Sequence, residues 1–215
     1  MILEDVDADA RAVLERYGFD ELRFEGLRAR VASGELSPAS NVVAGRVEPL
    51  ADEDVTALPE PGDAGYDVAR EAGIGAIRAG HVAVVVLAGG MATRFGGVVK
   101  ALVDAVNGLS FLEIVLAETE RLGRALQVEV PVALMTSFAT DESLRAFVAG
   151  RPGPRPILFA QFAAPRLTPG GSLFRGAAGE VSLYGPGHGD LLEAIGSSGA
   201  LDALRSRGVR TLAVS

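Results

Sequence analysis

An unbroken apolar run, Val82-Ala83-Val84-Val85-Val86-Leu87-Ala88, passes directly into Gly89-Gly90. It is far shorter than the roughly 20 residues a membrane helix needs. Its valines favour an extended backbone, so the run predicts a strand buried on both faces of a parallel sheet. The alternation continues downstream. Phe111 to Leu126 reads as a helix, with Ser110 as N-cap and Glu113 three residues later to close a capping box. Strands are predicted at 130–135, 157–162 and 209–214, the last of them buried. Helices are predicted at 141–148 and 190–207, the second broken near Gly196-Ser197-Ser198-Gly199. Such β–α alternation over residues 81–215 predicts an α/β fold with a three-layer, open, mostly parallel sheet. Ligands in such sheets bind at the carboxyl ends of the strands.

Residues 1–80 read differently. Val6, Ala10, Val13, Leu14 and Tyr17 recur at helical spacing before Gly18, and Leu22, Leu27 and Val31 mark a second helix ending near Gly34. Pro38, Pro49, Pro59 and Pro61 then punctuate an acidic stretch. The expectation is a helical and irregular segment wrapping a main domain, with no chemistry of its own.

Composition narrows the function. Twenty Lys+Arg against 28 Asp+Glu give a net charge of −8, which disfavours nucleic acid and anionic membranes as partners. With 48% hydrophobic residues the chain can build a sizeable core, and with no cysteine it has neither disulfides nor thiolate chemistry. The N-terminus carries no basic and apolar leader, so a cytoplasmic location is expected. Of the 20 basic residues all but Lys100 are arginine, which singles out Lys100 as a position suited to a compact ammonium.

Lys100 also ends the glycine loop. Gly89-Gly90 lets backbone N–H groups approach an anion, Arg94 offers a forked donor and Lys100 a point charge. Together they suit a polyphosphate. A Walker loop would place Ser or Thr after the lysine, where Ala101 stands, and a dinucleotide fingerprint would need G-x-G-x-x-G. Neither is present.

The stretch Leu87-Ala88-Gly89-Gly90 through Arg94, Gly96 and Lys100 resembles the signature loop of the nucleotidyltransferase superfamily. On this loop alone two families compete, the molybdenum-cofactor guanylyltransferases and the UDP-sugar pyrophosphorylases. Against the second pattern, Ala92 replaces a glycine, Val99 replaces a proline, and one residue fewer precedes Lys100. Four downstream segments resemble the pyrophosphorylases in order and spacing. They are Asn107-Gly108-Leu109-Ser110-Phe111-Leu112-Glu113, the strand and turn from Pro131 to Thr140, Phe159-Ala160-Gln161, and Tyr184-Gly185-Pro186-Gly187-His188-Gly189-Asp190.

That resemblance implies a Rossmann-like, glycosyltransferase-A-like nucleotidyltransferase fold and transfer of uridylate from UTP to a sugar 1-phosphate, with Mg²⁺ bound alongside UTP. It implies Lys100 and Arg94 as catalytic residues, and Leu87, Ala88, Gly89, Gly90, Gln161 and Gly187 as nucleotide-binding. Gln161 would read the uracil edge and His188 the sugar phosphate. The metal-holding Asp of the family would lie beyond Ser215, so the resemblance extends to the N-terminal part of such a protein only. A non-catalytic nucleotide-binding remnant is the alternative. The residues themselves allow these roles, since an amide can both donate and accept and an imidazole can donate at neutral pH. Asp141 and Asp190 are expected as helix-start residues. Pro165 to Gly179, with Arg166 and Arg175, is a candidate mobile flap.

Overall fold

The computed structural model describes residues 2–92 and 97–215. Helices α1 (Ala8–Arg16), α2 (Glu21–Ala32) and α3 (Tyr66–Arg78) precede the first strand, β1 (Val82–Leu87). Two short strands, β2 (Met91–Ala92) and β3 (Val98–Val99), flank the glycine loop, and β4 (Asp104–Val106) with β5 (Leu109–Ser110) forms a second small ladder. Next come α4 (Phe111–Leu126), β6 (Val132–Thr136), α5 (Asp141–Gly150) and β7 (Ile157–Ala160). A β8 (Ala164–Pro165) and β9 (Leu183–Tyr184) pair leads to α6 (Leu191–Ser197), α7 (Ala200–Ser206) and β10 (Thr211–Val214).

Four strands form one parallel sheet in the order β10-β1-β6-β7. Chain order runs outward from β1 to β6 and β7, then returns to β10 on the other flank of β1. That reversal is where α/β sheets open a crevice at the carboxyl ends of their strands.

Alternation along the strands divides the core in two. Val86, Ala88 and Leu134 point toward Leu112 and Leu116 of α4 and Leu144 and Val148 of α5. Ala83, Val85, Ala133, Met135 and Phe159 point to the opposite face, where Ala194, Ile195, Ala200 and Leu204 of α6 and α7 cover them. The result is the predicted three-layer α/β sandwich. Each large side chain buried here contributes about 1.5–3 kcal/mol of transfer free energy.

The capping box of α4 forms as its residues predict. Glu113 donates its backbone N–H to Ser110 Oγ at 3.3 Å, and Ser110 donates its own to Glu113 Oε2 at 2.8 Å. These bonds start α4 directly after the glycine loop and its two small ladders.

Two expectations change. The last strand is not buried: Val209 is, but β10 lies at the sheet edge, and Val214 is 52% exposed. A β-branched run has the same sequence at a centre and at an edge, so the pattern could not tell them apart. Helix α3 follows the proline-punctuated stretch, where the sequence pattern assigned no particular element; it contains Gly73 and Gly75 and buries none of its residues. The Pro165–Gly179 segment is tied down instead of standing off as a flap. Arg28 Nε donates to the Gly171 carbonyl at 2.8 Å and Arg175 to the Asp5 carbonyl at 2.7 Å.

The N-terminal helix α1 makes a third core. Val6, Ala10, Leu14 and Tyr17 pack on Ala163 and Val181, alongside β7 and β9. Helix α2 buries only Phe24 and leaves Leu22 86% exposed. Among the described residues no helix is long and apolar enough to cross a membrane.

Candidate functional site

A cleft of about 320 Å³ lies over the carboxyl ends of β1, β6 and β7, with Gly89, Gly90, Ser137, Gln161, Gly187 and His188 among its walls. Those strands are hydrophobic on both faces, so polar groups gather only where they stop.

Gln161 sits deepest. It follows β7, is 5% exposed, and its backbone N–H donates to the Thr136 carbonyl at 3.0 Å, prolonging the ladder with β6. Its side chain is wedged between glycines. A Cβ on Gly89 would lie 2.6 Å from Nε2, and one on Gly185 would lie 2.7 Å from Cδ. The Gly187 N–H donates to Oε1 at 3.0 Å. A backbone donor must face an acceptor, so this bond fixes the amide orientation and turns the NH₂ group toward Gly89. Among the described residues Nε2 has no hydrogen-bond partner. The cleft therefore presents an oriented donor.

Around it the turns are locked. Ser137 donates Oγ–H to the Gly89 carbonyl at 2.9 Å, and its own N–H goes to Thr140 Oγ1 at 3.0 Å. Gly187 adopts φ 88°, ψ −153°, a conformation open essentially to glycine alone. It delivers His188, exposed, into the wall of the cleft as the first residue of a 3-10 turn, His188–Asp190. At the rim the Arg166 guanidinium lies 5.7 Å from the centre of the Tyr184 ring.

Lys100 occupies the other flank of the glycine turn. Its backbone N–H donates to the Gly90 carbonyl at 3.1 Å, and with Leu87, Ala88 and Gly90 it lines a second hollow of about 430 Å³. Gly90 is the shared wall. Lys100 is exposed, and its ammonium makes no ion pair among the described residues. Arg94 lies outside the described residues. The fold thus gathers Gly89, Gly90, Gln161, Gly187 and His188 in one cleft, and places Leu87, Ala88 and Lys100 across Gly90 from it.

Two acidic residues do something other than cap helices. Asp190 makes no cap bond; its carboxylate accepts the Phe162 N–H at 2.7 Å, tying the 187–190 loop to the end of β7. Burial, helped by the Glu193 charge, raises its pKa above the ordinary carboxylate value against the opposing effect of that bond. Asp141, 1% exposed, receives Thr136 Oγ1 at 2.8 Å, Arg145 Nε at 2.8 Å, Tyr17 Oη at 3.2 Å and Arg16 at 3.4 Å. Burial alone would raise its pKa, but the Arg145 and Thr136 bonds and the Arg145 charge hold it below the ordinary carboxylate range. Both residues stand at helix starts as expected, but Phe162, Tyr17 and Arg16 among their partners lie far off in sequence.

Gly185 is the functional residue that the sequence pattern passed over. Glycine was read as significant at 187 and 189 because those flank His188. The requirement at 185 comes from Gln161, which only the fold brings alongside. A larger hollow, about 470 Å³, opens at the opposite end of the sheet, but its Glu120 and Glu129 carboxylates already pair with Arg151 and Arg207.

Residues 29–215 match the family described as UTP–glucose-1-phosphate uridylyltransferase. The chain belongs to this family. Membership decides between the two families that the glycine loop alone left open. Among UTP–glucose-1-phosphate uridylyltransferases, that of Saccharomyces cerevisiae is 34% identical over 142 residues, covering 62% of this chain. That of Musa acuminata is 34% identical over 135 residues, covering 59%. Each alignment spans 28% of the relative's own length, so this chain corresponds to less than a third of those proteins. A crystal structure of UDP-glucose phosphorylase from Trypanosoma brucei superposes with a TM-score of 0.57 at 27% identity, covering 66% of this chain and 31% of that one. A variant of Leishmania major UDP-glucose pyrophosphorylase, crystallised with UDP-glucose, shares the fold over 98% of this chain and 44% of its own, with a TM-score of 0.61 at 19% identity.

Proposed function

We propose that this chain carries the UTP-binding part of a UTP–sugar-1-phosphate uridylyltransferase. The observation that carries the reading is the oriented Gln161 amide. Its Nε2 donors suit a uracil carbonyl, and the bare backbone of Gly89 and Gly185 on either side gives the amide the slot that holds it facing the cleft. The triphosphate would then run over Gly89 and Gly90 toward Lys100, and His188 would face the sugar phosphate.

In the reaction, an oxygen of the sugar 1-phosphate attacks the α-phosphorus of UTP. The bond to the bridging oxygen breaks, and pyrophosphate leaves with its electron pair. The nucleophile is already an anion, so no proton-abstracting base is required. What the protein must do is hold two repelling anions in line and offset the developing charge. Lys100 supplies a point charge, Arg94 a fork, and the glycine turn its N–H groups. Mg²⁺ belongs to this reading as the counter-ion that UTP brings. Among the described residues no cluster of three carboxylate, imidazole or thiolate groups stands ready to hold a metal, so no step is assigned to one.

Calorimetry with UTP, CTP and GTP tests the base reading: UTP should bind best, and equal affinity for all three would end it. Release of pyrophosphate from UTP and glucose 1-phosphate tests turnover. Binding without turnover is the second reading, favoured by the small share of each relative that the chain spans.

A further inference from the structure

We propose that the end of α1, Arg16-Tyr17-Gly18, is a clamp that positions both walls of the cleft around Gln161, with Tyr17 as the positioning residue. This rests on the nucleotide reading above and goes beyond it, because residues 16–18 lie outside the segment 29–215 that matches the family.

One turn of chain reaches both walls. The Tyr17 hydroxyl donates to Asp141 Oδ2 at 3.2 Å, while its carbonyl accepts the Ala163 N–H at 3.2 Å. Gly18, at φ 66°, lies flat on the Phe162 ring, and a Cβ there would come 2.8 Å from Cδ1. On the first wall, Asp141 bonds Thr136 Oγ1, and its N–H donates to the Ser137 carbonyl at 2.8 Å. Ser137 in turn holds the Gly89 carbonyl. On the second wall, Phe162 and Ala163 follow Gln161 directly in the chain. Gln161 must fit between Gly89 and Gly185 with almost no clearance, so a small relative shift of the two walls changes the donor it presents. Tyr17 itself does not line the cleft. It acts through Asp141 and Ala163.

A turn that merely packed would be expected to affect all ligands alike. The clamp bears mainly on the base end: it holds Gln161 from both walls and reaches the phosphate turn only through the Gly89 carbonyl, while Lys100 hangs from Gly90 on the opposite flank. The test is calorimetric titration of the full chain and of Tyr17→Phe and Gly18→Ala with UTP and with inorganic tripolyphosphate. Tyr17→Phe, which keeps the ring, should weaken UTP about 5-fold and Gly18→Ala about 10-fold, with tripolyphosphate weakened by less than about 2-fold. Equal weakening of both ligands, or no change for UTP, overturns the clamp. Hydrogen exchange without ligand keeps the two ideas separable. Tyr17→Phe should speed exchange of the Gln161, Phe162, Ala163 and Asp141 amides; unchanged rates there overturn the clamp even if the unaltered chain binds no UTP. Absence of UTP binding by the unaltered chain would instead end the nucleotide reading.

Discussion

The backbone N–H of Gly187 and the side-chain oxygen of Gln161 meet at 3.0 Å, and that single bond decides which way the amide faces. It leaves the NH₂ group for a ligand. Gln161→Glu keeps the acceptor that Gly187 needs but replaces the donors with a second carboxylate oxygen. UTP affinity should fall by about 10-fold or more. Cytosine carries an amino group where uracil carries O4, so the ratio of CTP to UTP affinity should rise. Calorimetry with both nucleotides measures it, and an unchanged ratio would mean that the amide does not read the base.

Gly185→Ala places a methyl group 2.7 Å from the Gln161 amide, which would have to leave its slot beside Gly89 and swing toward the cleft. Overpacking of this kind costs about 1–3 kcal/mol. The same shift should abolish detectable UTP binding while the fold persists. Thermal unfolding followed by circular dichroism, alongside the titration, checks both halves of the expectation.

Asp141 is a buried carboxylate that four donors share, and Asp141→Ala removes the acceptor that joins them. Losing one partner of a buried charged network costs about 3 kcal/mol or more. The pH dependence has a definite sign. Because the folded-state pKa is depressed, this carboxylate stabilises the protein above its unfolded value, and the contribution is lost as pH falls through the folded one. Urea titrations should show the gap between parent and Asp141→Ala narrowing as pH drops below about 4.

Asp190 has the opposite sign. Its folded-state pKa is raised, so its contribution is complete below the unfolded value and is lost as pH rises through the folded one. Asn at this position keeps an acceptor for the Phe162 N–H without the buried charge. Relative to the parent, Asp190→Asn should gain stability as pH rises from about 4 to about 7. Melting temperatures across that range provide the measurement, and a gap that does not widen would count against a buried, charged Asp190.

Lys100 offers a charge on the far side of Gly90. Lys100→Ala should weaken tripolyphosphate and UTP together by about 10-fold, and Lys100→Arg should restore little, because a planar fork does not reproduce a compact ammonium. Near-parental affinity in Lys100→Arg, read by the same titration, would refute the point-charge argument.

Much of this was legible along the chain. The valine run, the Ser110–Glu113 capping box and the break at Gly196–Gly199 depend on contacts within a few residues, and local pattern records such contacts faithfully. Of the cleft residues, Gly89 and Gly90 stand in a short segment whose chemical types suit an anion, whereas Gln161, Gly187 and His188 stood out through the resemblance of their segments to the pyrophosphorylases. Helix α3 escaped notice, since its glycines weaken the helical signal and it has no buried face to mark it.

The sequence by itself determined the alternation of strands and helices and hence which loops end up at the carboxyl edge of the sheet. Tertiary structure alone decided which way the Gln161 amide points, why residue 185 must be glycine, and that Asp141 and Asp190 bind distant donors instead of capping their helices. It also decided that β10 is an edge and that Tyr17, read as one apolar position of a helix, spans two walls of the cleft. The physical reason is range. Periodicity and caps are set by neighbours within a turn or two, whereas a side chain's last hydrogen bond is set by whatever the fold brings beside it, for Tyr17 and Asp141 from 124 positions away.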